Sequence, residues 1–133
     1  MNQRSLRALA DHVARGGAAV IFPDGGGHRA AAWFPGIGVV ARRLAEIAPD
    51  RPIVLIPLRE EGCTNQRIYA HLSRGPWARA KRLLMHRRPV RLSMADPIPL
   101  AEVATPGADV EQIVTTLRAR YTEAFGSSQG GVL

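Results

Sequence analysis

The chain of 133 residues is 46% hydrophobic but only 5% aromatic, and its 18 basic and 11 acidic side chains give a formal charge of +7. These values exclude a wholly disordered chain and predict one α/β domain with an aliphatic core over residues 1–126, followed by a disordered tail over 127–133. A single cysteine excludes an internal disulfide, and the lack of a leader-like start or of about 18 consecutive apolar residues predicts a cytoplasmic protein whose membrane contact is peripheral, on the inner face.

The first predicted element is an amphipathic helix over residues 3–15, which Gly16-Gly17 ends. Its apolar positions at helical spacing are Leu6, Leu9, Ala10 and Val13. The run from Ala18 to Phe22 is short and continuously apolar, which predicts a strand that is buried on both faces.

A second helix is predicted from Gly36 to Ile47, with Pro35 in its first turn. The stretch IVLIPL, residues 53–58, predicts another buried strand. A strand, a helix and a strand within about 40 residues are typical of a right-handed βαβ unit with parallel strands.

The remaining chain holds one weak and two clear patterns. Residues 59–88 are hard to interpret, although Pro76 is suited to open a helix. The alternation over 90–94 predicts a half-exposed third strand, and Asp109 is predicted to cap a last helix that runs to Phe125. The predicted fold is therefore an α/β domain with a small, mostly parallel sheet and helices on its faces.

The loop from Pro23 to Pro35 is the leading candidate site, because ligands of open parallel sheets bind at the carboxyl ends of the strands. Glycine N–H groups from Gly25 onward can approach a phosphate, Arg29 can pair with it, and Asp24 can accept a hydrogen bond from a hydroxyl. This combination predicts a site for a phosphorylated alcohol. The alternative is a plain Pro-Asp-Gly turn followed by glycines that serve only as a connection.

Other motifs in the sequence are incomplete. Gly25, Gly27 and Ala30 match G-x-G-x-x-A, but Pro35 interrupts the helix that a dinucleotide fingerprint requires. Cys63 has no histidine signature beside it, so we interpret it as incidental. We predict neither a metal site nor a bound cofactor.

Three stretches in order, VIFPDGGGHR, WFPGIGVVARRLAEI and RPIVLIPL, resemble the second half of the glycerolipid acyltransferase domain. That family carries F-P-E-G-T-R-S after a strand, then a phenylalanine and a glycine that open a helix, then a V-P-x-x-P-V strand. The counterparts here are Phe22-Pro23-Asp24-Gly25, Phe34 with Gly36, and Pro52 to Leu58. The later stretch RRPVRLSMADPIPLAEV is similar to the family's strand that ends in G-x-P-I.

The resemblance implies transfer of a fatty acyl group from acyl-CoA or acyl carrier protein to glycerol phosphate or a lysophospholipid. It also implies which residues contact the acceptor: Phe22, Pro23, Asp24, Gly25 and Arg29. Within the motif, Asp24 replaces a glutamate, Gly26 a threonine and Gly27 an arginine, which leaves Arg29 as the nearest cation.

The family's catalytic H-x-x-x-x-D motif is not found in this sequence. The residues five positions after the four histidines are Gly17, Trp33, Pro76 and Arg91. His28 is interpreted as an exposed loop residue and not as the base, because nothing local orients its ring. We therefore expect no acyl transfer from this chain alone, and we expect a second copy or a partner chain that supplies the missing half and covers an unpaired sheet edge at residues 18–22.

The middle of the chain is strongly basic, with seven cations and no acidic residue between positions 74 and 91. If the segment that starts at Trp77 is helical, its apolar side is flanked by cations, a pattern typical of a helix on an anionic bilayer. The predicted membrane or anion contacts are Trp77, Arg79, Lys81, Arg82, Arg87 and Arg88. A helix packed on the sheet with its arginines in water is the structural alternative.

The alternative function is thus a noncatalytic module that binds anionic lipid or another phosphate-bearing ligand. A nucleic-acid partner is not expected, because no helix-turn-helix, zinc or RNA-recognition signature is present.

Overall fold

The computed structural model describes residues 3–23, 33–61, 77, 80 and 90–126. Its helices are α1 (Gln3–Ala14), α2 (Gly36–Ile47), α3 (Leu100–Val103) and α4 (Val110–Phe125). Its strands are β1 (Val54–Leu55), β2 (Leu58–Glu61), β3 (Arg91–Met94) and β4 (Ile98–Pro99). None of the described helices is long and apolar enough to cross a membrane.

The chain divides into two compact units. The first unit comprises Met1–Pro57 and Asp96–Leu133, and the second unit comprises Leu58–Ala95. The single domain predicted over 1–126 stays a prediction, and the tail predicted over 127–133 lies outside the described residues.

Helix α1 confirms the first predicted element. Leu6 and Ala10 are buried, and the remaining apolar positions of that face pack against the core. Gly16 has a φ of 96°, a backbone conformation that glycine adopts without strain, and the Gly17 N–H donates to the His12 carbonyl oxygen at 3.0 Å. The two glycines therefore end the helix as the sequence predicts.

Helix α2 lies at the centre of the first unit and contacts α1, α3 and α4. Its apolar face is buried through Val40, Ala41, Leu44 and Ala45. On the opposite side, Glu46 forms ion pairs with Arg42 and Arg43 at 3.7 and 3.8 Å. The second predicted helix is confirmed over Gly36–Ile47, and Pro35, predicted in its first turn, is its N-cap.

Helix α4 confirms the last predicted helix and its cap. The Asp109 side chain accepts a hydrogen bond from the Gln112 N–H at 3.1 Å, and Ile113 and Leu117 bury the centre of the apolar stripe. The core is completed by Leu100 and Val103 of α3, a short helix that the sequence analysis missed.

The predicted strand over 18–22 is wrong in the described structure. Val20 and Phe22 are exposed, and no backbone hydrogen bond joins residues 18–22 to any other described residue. Ile21 alone packs against the core. An apolar run is therefore not sufficient to form a strand.

The predicted parallel sheet and βαβ unit are likewise wrong, although the fold is mixed α/β as expected. In the first unit β1 pairs antiparallel with β4, matching Val54 with Pro99, and in the second unit β2 pairs antiparallel with β3. The predicted strand 53–58 is split, because Pro57 has no N–H to donate to a ladder. Its residues alternate in burial, as is typical of a sheet with one solvated face.

The predicted third strand is confirmed as β3, but all of its residues are exposed and not only half of them. The Asp96 to Pro99 stretch holds two prolines and does not simply end that strand. It instead leads into β4, after which the Leu100 N–H donates to the Ile53 carbonyl oxygen at 2.9 Å and starts α3.

Candidate functional site

The candidate acceptor loop lies in the first unit, between residue 22 and helix α2. Of the five predicted acceptor contacts, the structure describes Phe22 and Pro23. Asp24, Gly25 and Arg29 lie outside the described residues, as does His28. The described residues therefore define the base of the loop.

A hydrogen bond closes this base. The Phe34 N–H donates to the Pro23 carbonyl oxygen at 2.7 Å. The two ends of the loop, at Pro23 and Phe34, are therefore held next to each other. Pro35 follows as the N-cap of α2, so the end of the loop and the start of the helix coincide.

The C-terminal side of the loop is held by an aromatic contact. The rings of Trp33 and Tyr121 meet edge to face, with centroids 5.6 Å apart and planes at 70°, and Tyr121 also meets Phe125 at 4.9 Å. Such pairs contribute about 0.5–1.5 kcal/mol beyond the area that they bury. The sequence analysis gave Trp33 no role, although a tryptophan at a loop end and two aromatics four residues apart on α4 were a readable signal.

Two phenylalanine rings at the loop base face solvent. Phe22 is 66% exposed and Phe34 is 60% exposed. Phe22, named from the sequence, thus lies on the outside of the loop base and not in the core.

The N-terminus of α2 carries backbone donors that have no acceptor among the described residues. Pro35 offers no side-chain cap, and the first turn holds no acidic residue. Within the described part of the chain, the N–H groups of Gly36, Ile37 and Gly38 have no acceptor. Unpaired N–H groups and the positive end of the helix dipole favour a negatively charged group such as a phosphate.

The predicted membrane contacts lie in the second unit and are described only at one point. Trp77 has helical backbone and is 86% exposed. Arg79, Lys81, Arg82, Arg87 and Arg88 lie outside the described residues. The large exposure of the indole agrees with a side chain that is free to contact another surface.

No catalytic base or metal centre is assembled by the described residues. His12 is the one histidine among them, and its ring lies against Gly17, where an added Cβ would collide with it. Over 3–23, 33–61 and 90–126, no group of three histidine, cysteine or acidic side chains is placed to hold a metal ion. The described residues at the loop base offer backbone donors at the start of α2, which suit binding of an anion.

A scan against protein-family models, a search of curated proteins and a search of solved structures each found no match to this chain. The resemblance to glycerolipid acyltransferases rests on the quoted motifs and stays a prediction.

Proposed function

We propose that this chain is acyltransferase-like and that its loop over residues 23–35 holds the phosphate-bearing acceptor of a fatty-acyl transfer. The acceptor is glycerol phosphate or a lysophospholipid. One observation carries the proposal: the hydrogen bond from the Phe34 N–H to the Pro23 carbonyl oxygen brings both ends of the loop to the uncapped start of α2.

Each part of the loop has a role in this proposal. The N–H groups of Gly36 and Ile37, which have no acceptor among the described residues, attract the phosphate, and Arg29 pairs with two of its oxygens. Asp24 accepts a hydrogen bond from a hydroxyl of the acceptor. The exposed ring of Phe22 offers an apolar surface for the acyl chain.

In the transfer itself, the acceptor oxygen attacks the thioester carbonyl of acyl-CoA or acyl carrier protein. A new ester C–O bond forms, the C–S bond breaks, and the proton of the hydroxyl passes through a base to the departing thiolate. The sequence has no H-x-x-x-x-D to supply that base. The proposal therefore assigns acceptor binding to this chain and the base to another chain.

The partner is proposed to join at residues 18–22. This apolar segment has no backbone hydrogen bond to other described residues, and Val20 and Phe22 project outward. A row of unpaired N–H and carbonyl groups is a template on which a strand of another chain can add. A second copy or a partner subunit is thus expected on this segment.

The test is calorimetric binding of glycerol 3-phosphate to the purified chain. We expect saturable binding that Arg29→Gln weakens by roughly tenfold or more, since a charge-assisted hydrogen bond contributes about 1.5–3 kcal/mol. Arg118→Gln, at an exposed position of α4, is the matched control and is expected to bind like the unmodified chain. Equal losses in both variants would show that the net charge, and not the loop, binds the ligand.

Acyl transfer from labelled acyl-CoA to glycerol 3-phosphate and lysophosphatidate is measured in parallel. We expect no turnover from this chain alone. Turnover that Asp24→Ala abolishes would overturn the assignment of the base to another chain, because it would place a catalytic base within this sequence.

A second candidate function is a noncatalytic module that binds anionic lipid or another phosphate-bearing ligand. The 86% exposure of Trp77 favours it, because an exposed indole is an amphipathic group that membrane interfaces accommodate.

A further inference from the structure

The two strands of the second unit separate apolar from polar side chains. Residues that lie directly opposite in an antiparallel pair share a face, and successive residues alternate between faces. The register matches Leu58 with Met94 and Glu60 with Leu92 on one face, which we call the apolar ribbon face. The other face carries Arg59, Ser93, Glu61 and Arg91.

The apolar ribbon face has little cover. Leu92 is 63% exposed and Met94 is 71% exposed, and Leu58 is exposed as well. The opposite face is suited to water, because Arg59 and Glu61 form an ion pair at 2.9 Å there. In water, the second unit would therefore expose its apolar ribbon face, which water solvates less well than the opposite, charged face.

The charge of the chain is concentrated in the connection between these strands. Residues 62–90 contain seven basic and no acidic residues, and the other 11 basic side chains equal the 11 acidic ones. The basic residues are Arg67, Arg74, Arg79, Lys81, Arg82, Arg87 and Arg88. Because Glu61 pairs with Arg91, this connection starts and ends at the same end of the two strands. The formal charge of +7 therefore belongs to the segment that joins β2 to β3.

We propose that the apolar ribbon face docks on an anionic lipid bilayer. Leu58, Leu92 and Met94 enter the boundary between headgroups and acyl chains, and the seven basic residues between β2 and β3 supply the positive charge that an anionic surface attracts. An anionic bilayer interface offers an apolar layer for the exposed side chains and negative charge for the basic residues. A nucleic acid would satisfy the charge but would leave the apolar side chains in water.

Glu60 limits how deeply the face enters. It is exposed on the same face, opposite Leu92, and a carboxylate is repelled by anionic headgroups and resists loss of its hydration. The face therefore binds at the level of the headgroup boundary and not within the hydrocarbon layer. Removing this charge should strengthen binding.

This inference rests on the second candidate function and adds the surface that carries it. It is tested by sedimentation of the full chain with vesicles of phosphatidylcholine, with and without a third of phosphatidylglycerol. We expect binding that requires the anionic lipid and falls as salt is raised. The double variant Leu92→Ser with Met94→Ser should bind roughly tenfold more weakly, because two apolar contacts are lost.

Two further variants sharpen the test. Glu60→Gln is expected to bind roughly fivefold more tightly, as one repelled charge near the surface is removed. Val54→Ser, at an exposed position of the first unit, is the matched control and should bind like the unmodified chain. Because all of these side chains are exposed, the variants are expected to fold, which circular dichroism checks.

The outcomes distinguish the surface from the function. No binding of the unmodified chain to anionic vesicles would overturn the inference together with the lipid-binding candidate. Binding that Leu92→Ser with Met94→Ser leaves unchanged, or that Val54→Ser weakens equally, would overturn the apolar ribbon face and leave lipid binding in place. Tighter binding to duplex DNA than to vesicles would overturn both in favour of a nucleic-acid partner.

Discussion

Gly38 lets α2 approach α4 more closely than any other residue type would. A Cβ added at this position would lie 2.7 Å from the Val110 carbonyl oxygen and 2.9 Å from the Val114 Cγ2. The first of these atoms is backbone and cannot rotate away. From the sequence alone, replacing a glycine inside a helix by alanine is expected to raise the free energy of unfolding by about 1 kcal/mol, because glycine has a low helix propensity. Because α2 and α4 lie so close at Gly38, alanine at this position is instead expected to destabilise the chain.

We therefore predict that Gly38→Ala destabilises the chain by about 1–3 kcal/mol, since overpacking forces two helices apart. The free energy of unfolding from urea titration measures this. Ala119→Gly, at an exposed position inside α4, is the control for intrinsic helix propensity and should lower the free energy of unfolding by about 1 kcal/mol. A stabilised Gly38→Ala variant would mean that α2 and α4 are not in this contact.

Among the helices, α4 has the clearest local signal for its start. The Asp109 carboxylate accepts from the Gln112 N–H, and this cap was predictable because donor and acceptor are three residues apart in one sequence. The same holds for the glycine stop of α1. Helices α1, α2 and α4 were all predicted, because their hydrogen bonds and their apolar stripes are contained within single segments.

Replacement of the cap tests this directly. Asp109→Ala should lower the free energy of unfolding by about 1 kcal/mol, whereas Asp109→Asn, which keeps an acceptor oxygen, should lower it by less. Asp96→Ala is the control, because Asp96 is also exposed and precedes β4 without capping a helix. Urea titration followed by circular dichroism gives all three values. Equal losses for Asp109→Ala and Asp96→Ala would contradict a role for the cap.

The strands were predicted less well than the helices. The residues of β2 pair with residues of β3 that lie about 30 or more positions further along the chain; Glu61, for example, pairs with Arg91. An apolar run does not reveal which distant run will pair with it, or in which direction. The stretch 18–22 has the composition of a strand and no described partner, so it forms none. The predicted parallel topology failed for this reason.

Over the whole molecule, apolar surface and charge are unevenly divided. The first unit buries a core formed by α1 to α4, yet it leaves Val20 and Phe22 exposed on residues 18–22, an unpaired segment in the sense that it has no backbone hydrogen bond to other described residues. The second unit exposes the apolar ribbon face beside a strongly basic connection. The exposed apolar surface of the first unit is thus suited to an added strand, and that of the second unit is suited to an anionic bilayer.

The unpaired segment predicts self-association of the chain. In sedimentation equilibrium at micromolar concentration we expect a species heavier than the 14.4 kDa monomer, and we expect Val20→Lys to shift it toward the monomer. A charge on an added strand edge opposes pairing with another chain. Val54→Lys is the control, since Val54 is exposed on a strand that already pairs with β4. A stable monomer of the unmodified chain would contradict the second copy as the partner.

Part of the candidate site was likewise accessible to sequence reasoning. The loop from Pro23 to Pro35 was located because its proline, aspartate and glycines form a contiguous pattern. Its closure by the Phe34 N–H and its support by the contact of Trp33 with Tyr121 were not accessible, since Tyr121 is far along the chain.

The amino-acid order was sufficient for the three long helices, their buried faces, the glycine stop of α1 and the Asp109 cap of α4, because each depends on neighbours within one or two turns. The tertiary structure was required for the strand pairing, the exposure of residues 18–22 and the sign of the Gly38 effect. Each of these depends on which distant segments meet, and a local pattern does not contain that information. The apolar ribbon face shows the same division: its alternation is visible in the sequence, but only the register of β2 with β3 places Leu58, Leu92 and Met94 on one side.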